Sequence, residues 1–227
     1  MIVTYCANKA LYNKLPTAIN SLLSNNKVEK IYLFIEDDNI DYISHPNIEF
    51  VNCEKVDIPV RDGMNVSERF PYLALVRLFL HNLLKEDKVL YLDVDTVVDD
   101  SLEDLWSTDL GSDLIGAVEE TNNYCNSGVI LFNLKGIREA NLDKNIKILL
   151  SKCKMQFPDQ DAMNQVFQDR ILLLPKKYNV LGRAMYVYGK QDIAIRHYAG
   201  QRKPWEEDAN ELDKEFWNKY LTSEIHA

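Results

Sequence analysis

Residues 88–98, Lys-Val-Leu-Tyr-Leu-Asp-Val-Asp-Thr-Val-Val, constrain this chain more than any other stretch. The run is short, apolar and β-branched. That is the pattern of a fully buried strand, too short for a typical helix. Two carboxylates, Asp93 and Asp95, stand at its C-terminal end, one residue apart. On an extended chain such residues point to the same side. Two anions at the end of a buried strand are costly unless something positive holds them. A divalent cation answers that need, and hard oxygen ligands suit magnesium, manganese or calcium better than zinc. Open α/β sheets bind ligands at the carboxyl ends of their strands. The alternative is a strand ending in a solvated acidic turn, because Asp-x-Asp alone is a common pattern.

Composition narrows the partners. The 227 residues are 46% hydrophobic and 27% charged, ordinary values for a globular protein with one sizeable core or two small ones. A net charge of -9 disfavours nucleic acid, which selects basic surfaces. Cys6, Cys53, Cys125 and Cys153 are widely spaced, with no Cys-x-x-Cys pair. Cys6 and Cys125 lie in apolar runs, which reads as buried reduced thiols in a cytosolic protein. The sequence opens on a strand pattern instead of a charged leader with an apolar core. No run approaches the roughly 18 apolar residues that a membrane span needs. A cytoplasmic protein without a transmembrane segment is expected.

Along the chain, strands are expected at 2–6, 31–35 and, more weakly, 49–51, with a helix beginning near Leu15 and Pro16 in its first turn. Residues 53–66 read as a loop. Helical spacing returns over 71–84, and Arg77 sits inside it among apolar neighbours. Either its stem packs and its head snorkels to water, or it meets an anion. After the 88–98 strand, Ser101 is a candidate N-cap for a short helix through Trp106. Strands are expected at 114–118, 124–133, 171–174 and 193–197. Gly128, inside the second of these, marks a close backbone approach or a bulge. Amphipathic helices are expected at 141–152, 159–168 and 211–221, the last on the surface. Strands alternating with helices predict a parallel α/β sheet. With no repeat or linker in view, one domain is the expectation.

His197 ends a late strand, and Lys203 follows after a turn bearing Gly200. Two carboxylates and an imidazole make a cation site with open positions, suited to Mn²⁺ and to a substrate diphosphate. A lysine nearby meets the same phosphate as a point charge. Each residue also has a bland reading, as a structural histidine or a solvent-facing lysine.

Four motifs, in order, resemble glycosyltransferase family 8. They are Tyr91-Leu92-Asp93-Val94-Asp95, the run 126–134 opening on Asn126-Ser127-Gly128, the run 158–164 containing Asp159-Gln160-Asp161, and the run 197–205 from His197 to Trp205. The resemblance implies a retaining enzyme of GT-A fold: a single α/β catalytic domain over 1–227. Its mixed, mostly parallel sheet would lie in the core 1–205, with 206–227 an acidic helical tail. It implies transfer of a hexose, glucose or galactose, from a UDP-sugar to a glycan or glycolipid acceptor. Mn²⁺, with Mg²⁺ as the alternative, would be held by Asp93, Asp95 and His197. Ala7, Asn8 and Tyr12 would cradle uracil and ribose, Val94 the ribose, and Gly200 and Lys203 the diphosphate. Arg77, Asn126 and Ser127 would line the donor sugar. Asp159 and Gln160 would stand near the anomeric carbon. The family commonly places an aspartate where this chain has Asn8, and Tyr12 does not align cleanly. The acid-rich tail argues against anchoring to an anionic membrane, leaving at most transient contact with its inner face. Two competitors remain. A nucleotidyltransferase would need a glycine-rich phosphate loop, and Cys6-Ala7-Asn8-Lys9-Ala10 has no glycine. The other is a non-catalytic binder of nucleotide sugars.

Overall fold

The structure, a computed structural model, describes residues 1–59, 61–182, 193–200 and 202–226. Val60 of the expected loop and Gln201 of the late motif lie outside the described residues. In chain order the first half comprises β1 (Ile2–Cys6), α1 (Leu15–Asn25), β2 (Lys30–Ile35), β3 (Ile43–Ser44), β4 (Ile48–Asn52), α2 (Tyr72–Val76), α3 (Leu80–Leu83), β5 (Lys88–Leu92) and β6 (Thr96–Val98). Then follow α4 (Glu103–Ser107), β7 (Ile115–Thr121), β8 (Tyr124–Asn133), α5 (Leu134–Ala140), α6 (Asp143–Lys152), α7 (Pro158–Phe167), β9 (Ile171–Leu173), β10 (Val180–Leu181), β11 (Ile195–His197), α8 (Glu211–Asn218) and β12 (Ile225–His226).

The main sheet has seven strands in the order β4-β2-β1-β5-β8-β7-β9. It is parallel except at β8, which runs antiparallel to both β5 and β7. The alternation of elements predicts the parallel strands, and the antiparallel β8 makes the sheet the mixed, mostly parallel one that the resemblance implies. β5 shows why its residues form a strand. Leu90 and Leu92 join a core that includes Leu15, Ile19 and Leu22 of α1. Val89 and Tyr91 join the opposite core with Val76, Ile146 and Met163. Both faces are buried, so an unbroken apolar run is what the sheet requires.

Residues 88–98 do not form one strand. β5 stops at Leu92, the Thr96 hydroxyl donates to the Asp93 carbonyl at 2.7 Å, and β6 leaves for a second sheet of order β10-β11-β6. Asp93 and Asp95 therefore share a turn between two sheets, and that turn, not an extended backbone, brings them together. The expected helix over 71–84 is likewise interrupted. Residues Arg77–Phe79 form a 3₁₀ turn between α2 and α3, and such breaks often mark functional positions. The helix expected over 141–152 is α6, which starts at Asp143. Periodicity did not predict the helix before it, α5, which ends where Asn141 takes a left-handed conformation (φ 52°).

α8 is not merely a surface helix. Its Trp217 is buried, 4.8 Å from the Trp205 ring and edge-on to Tyr198. Among the described residues, no helix is long and apolar enough to cross a membrane.

The four cysteines are free; Cys6, Cys53 and Cys125 are buried and Cys153 is exposed. Burial pushes the Cys53 thiol up to about 12 and Cys125 up to about 11. Iodoacetamide at neutral pH is expected to modify one thiol of the native protein, Cys153, and all four after unfolding. Intact mass counts them, and a second adduct on the native protein would contradict the burial.

Candidate functional site

Each site element has a local reason for its place. α7 begins on Pro158, whose missing N–H costs nothing at a helix start. Asp161 accepts from the backbone N–H groups of Gln156 and Phe157. The Asn164 amide clasps β8, donating to the Cys125 carbonyl at 2.8 Å and accepting from its N–H at 2.7 Å. Asp159 and Gln160, in the first turn, are left to face Ser127 and Asn126. β11 pairs antiparallel with β6, setting His197 opposite Thr96, and the Tyr198 N–H donates to the Asp95 carbonyl at 2.9 Å. The His197 ring lies against the α-carbon of Gly128, where a Cβ would stand 2.0 Å from its Cε1. This is the close approach expected of that glycine.

These elements surround a cleft of about 1090 Å³ at the carboxyl end of β5. The Nε2 atom of His197 is 3.3 Å from Asp95 Oδ1 and 3.6 Å from Asp93 Oδ2, and one ligand atom from each residue lies within 4.8 Å of the others. An octahedral cation with bonds of about 2.1 Å spaces neighbouring donors about 3 Å apart. The donor set and its spacing fit such an ion.

Two cations, one buried and one half-buried, brace the acids. Arg77, almost fully buried, bridges Asp93 at 2.9 Å and Asp159 at 3.2 Å, and donates to the Ser127 carbonyl at 2.8 Å. It does not snorkel; the anions it meets are the protein's own. Burial opposes its charge, but Asp93 and Asp159 outweigh that and raise its pKa well above the ordinary value. Lys203 contacts Asp95 Oδ2 at 2.5 Å and the Tyr198 carbonyl at 2.9 Å. Burial also opposes ionisation of Asp95, yet His197 and Lys203 hold its carboxyl well below the usual range.

Of the residues expected at the site, Asn8, Arg77, Asp93, Val94, Asp95, Asn126, Ser127, Asp159, Gln160, His197, Gly200 and Lys203 line this cleft. The Asn8 Oδ1 atom is buried and has no hydrogen-bond partner among the described residues. Gly200 has φ 103°, a left-handed backbone that favours glycine, and open space around it among the described residues. Ala7 and Tyr12 are not among the lining residues. Ala7 is buried, its N–H bonded to the Phe34 carbonyl. The Tyr12 hydroxyl is engaged by Asp37 at 3.0 Å and the Glu36 N–H at 2.8 Å.

Sequence reasoning missed Glu120 and Asn179. Glu120 accepts from Gln160 Nε2 at 3.1 Å and Asn126 Nδ2 at 3.3 Å. Asn179 meets the other nitrogen of His197, Nδ1, at 2.9 Å. An available signal for Glu120 was its place just before Asn122 and Asn123, which turn the β7–β8 hairpin with positive φ. Asn179 carried no such signal.

Comparison with known proteins is consistent with this geometry. The family model described as glycosyl transferase family 8 matches residues 2–209. The glycosyltransferase GlyA of Streptococcus pneumoniae serotype 4 is 28% identical over 240 residues, covering 96% of this chain and 34% of its own length. The chain thus spans about a third of the first curated relatives it matches. The crystal structure of the glycosyltransferase GlyE of S. pneumoniae TIGR4 superposes with a TM-score of 0.78 at 25% identity, over 97% of this chain and 60% of that one. The galactosyltransferase LgtC, in complex with donor and acceptor sugar analogues, shares the fold with a TM-score of 0.77 at 23% identity, over 98% and 97%. With a match from the first strand to beyond Lys203, on a GT-A scaffold, this chain belongs to glycosyl transferase family 8.

Proposed function

We propose that this protein is a glycosyltransferase that moves a hexose from a UDP-sugar to a glycan or glycolipid acceptor with retention, residues 1–227 acting as one catalytic unit. The observation that carries the reading is the convergence of Asp93, Asp95 and His197 with Arg77 and Lys203 in one cleft. Asp93, Asp95 and His197 would hold Mn²⁺, which when bound supplies positive charge to a diphosphate leaving group. Lys203 needs only to turn from Asp95 to meet the same phosphates, because it uses the oxygen that His197 does not contact. Asn8, with its unpartnered carbonyl, would accept from the uracil imide.

Double displacement would need a free carboxylate beneath the sugar. Asp159 is occupied by Arg77 and by the Ser127 hydroxyl at 2.8 Å. Gln160 Oε1 accepts from the Ser127 N–H and from Asn126 Nδ2, each at 3.0 Å. Both residues are committed to the cleft wall. This favours attack on the face that the leaving group departs from, with the leaving phosphate taking the acceptor's proton. Glu120, exposed at the cleft, is the carboxylate whose substitution would test a covalent route.

The test is NMR of a panel of UDP-sugars incubated with protein and Mn²⁺, without acceptor, with Asp95→Ala as control. Slow cleavage of one sugar, absent in the variant, is the expected result, and the first-formed anomer reports retention. A trapped glycosyl-enzyme would overturn the same-face route. Absence of UDP–Mn²⁺ binding would overturn the donor assignment.

A further inference from the structure

A hydrogen-bond chain with only one self-consistent direction runs through the cleft wall to His197. It starts at two groups whose roles are fixed: the Ser127 N–H can only donate, and the ionised Glu120 carboxylate can only accept. Gln160 lies between them, so its Oε1 faces Ser127 at 3.0 Å and its Nε2 faces Glu120 at 3.1 Å. Asn126 is therefore oriented as well. Its Nδ2 donates to Gln160 Oε1 at 3.0 Å, and its Oδ1 accepts from the Gly128 N–H at 2.9 Å. The same Oδ1 lies 2.9 Å from an amide atom of Asn179, which must be the nitrogen. What Asn179 turns to His197 is then its oxygen, 2.9 Å from Nδ1. An oxygen acceptor there requires a proton on Nδ1. Asn126, Asn179 and His197 are all buried, so a mismatched pair would leave a desolvated polar atom without a partner.

We propose that Asn179 is a positioning residue that fixes the His197 tautomer, keeping the proton on Nδ1 and presenting a bare Nε2 lone pair between Asp93 and Asp95. The fold places it for this task. Asn179 follows the 3₁₀ turn Lys176–Tyr178 and immediately precedes β10, which pairs parallel with β11 so that Leu181 stands opposite His197. Partners on the far nitrogen of a metal-binding histidine commonly set its tautomer and ring orientation. Here the chain also ties the histidine to Gln160 and Glu120 across the cleft. The consequence for metal affinity rests on the cation reading above; the tautomer assignment does not.

The experiment is long-range ¹H–¹⁵N correlation NMR of the imidazole nitrogens in the metal-free 227-residue chain. The His197 signals are assigned by their absence in His197→Gln, and the pH is raised until the ring is neutral. The expected result is a proton on Nδ1 in the wild type and in Asn179→Asp, which loses the donor to Asn126 Oδ1 but keeps an acceptor towards Nδ1, and a shift towards the other tautomer in Asn179→Leu. Mn²⁺ titration followed by electron paramagnetic resonance should show affinity about 10–100-fold weaker in Asn179→Leu, with Asn179→Asp binding more tightly than Asn179→Leu. A neutral wild-type ring protonated on Nε2 overturns the proposal. So does Asn179→Leu with unchanged tautomer and unchanged affinity. Should Asn179→Leu not fold, the wild-type and Asn179→Asp spectra decide alone. A wild type with the Nδ1 proton but no Mn²⁺ binding sinks the cation reading and leaves the role of Asn179 standing.

Discussion

Arg77→Met is expected to destabilise the protein by about 3–5 kcal/mol, the range for removing one partner of a buried ion pair. In a chain of this length that lowers Tm by on the order of 10 °C. The substitution roughly keeps the stem's volume and strips the charge from between Asp93 and Asp159. Asp159 is nearly as buried as Arg77 itself, so its carboxylate would be left without solvent or cation. The guanidinium also lies 4.4 Å from the centroid of the buried Tyr91 ring, and its Nε bonds the Ala74 carbonyl at 2.9 Å, within the broken helix. Differential scanning calorimetry reads the loss. Adding Asp159→Asn should recover part of it, because the stranded charge goes too. A shift of only a degree or two in the single variant would mean that Asp159 reaches water, contrary to the packing described.

The second large effect is predicted at a position with no side chain. Gly128→Ala puts a methyl group 2.0 Å from His197 Cε1, 2.6 Å from Nδ1 and 2.7 Å from Nε2. These are ring atoms, not the far end of a flexible chain, so the imidazole must move bodily. It then loses Asn179 on one side and Asp95 on the other. Mn²⁺ binding is expected to vanish at concentrations that saturate the wild type. Overpacking of this kind typically costs about 1–3 kcal/mol, so the variant should remain folded at room temperature. Isothermal calorimetry with Mn²⁺ beside circular dichroism separates the two outcomes. Unaltered Mn²⁺ affinity in a folded Gly128→Ala protein would show that His197 is not held against this backbone. At Gly200, by contrast, positive φ is the constraint and no neighbour stands within 4 Å; alanine there strains a turn without touching the imidazole.

Much of this was legible in the sequence for identifiable reasons. Strands such as Ile2–Cys6 and Tyr124–Asn133 were found within a residue or so of their ends, because burial on two faces demands unbroken apolar runs. The Asp93, Asp95 and His197 set was found because carboxylates and an imidazole at strand ends are expensive to leave unpartnered. Long-range pairing was not visible. The 88–98 run looks continuous because Thr96, Val97 and Val98 are as β-prone as the residues before the turn; only β11, a hundred positions away, draws them into another sheet. Arg77, in the 3₁₀ turn, pairs with Asp93 just after β5 and with Asp159 on α7, partners that local periodicity cannot register. Tyr12 is held by Asp37 and Glu36 after β2, a contact the spacing around Lys9 and Ala10 does not reveal. Asn179 stayed unseen because its value lies wholly in which neighbour its two amide atoms face.

The turn at Asp93–Asp95 also has a mechanical consequence. It is the seam between the seven-stranded and three-stranded sheets, with Asp93 continuing the large sheet through its N–H bond to the Gly128 carbonyl at 2.8 Å and His197 belonging to the small one. Any sliding of one sheet past the other would change the gap between these side chains. A ligand gripping both acts as a rivet across that seam, so its grip should register as slower amide exchange along β6 and β11, beyond the residues that it touches.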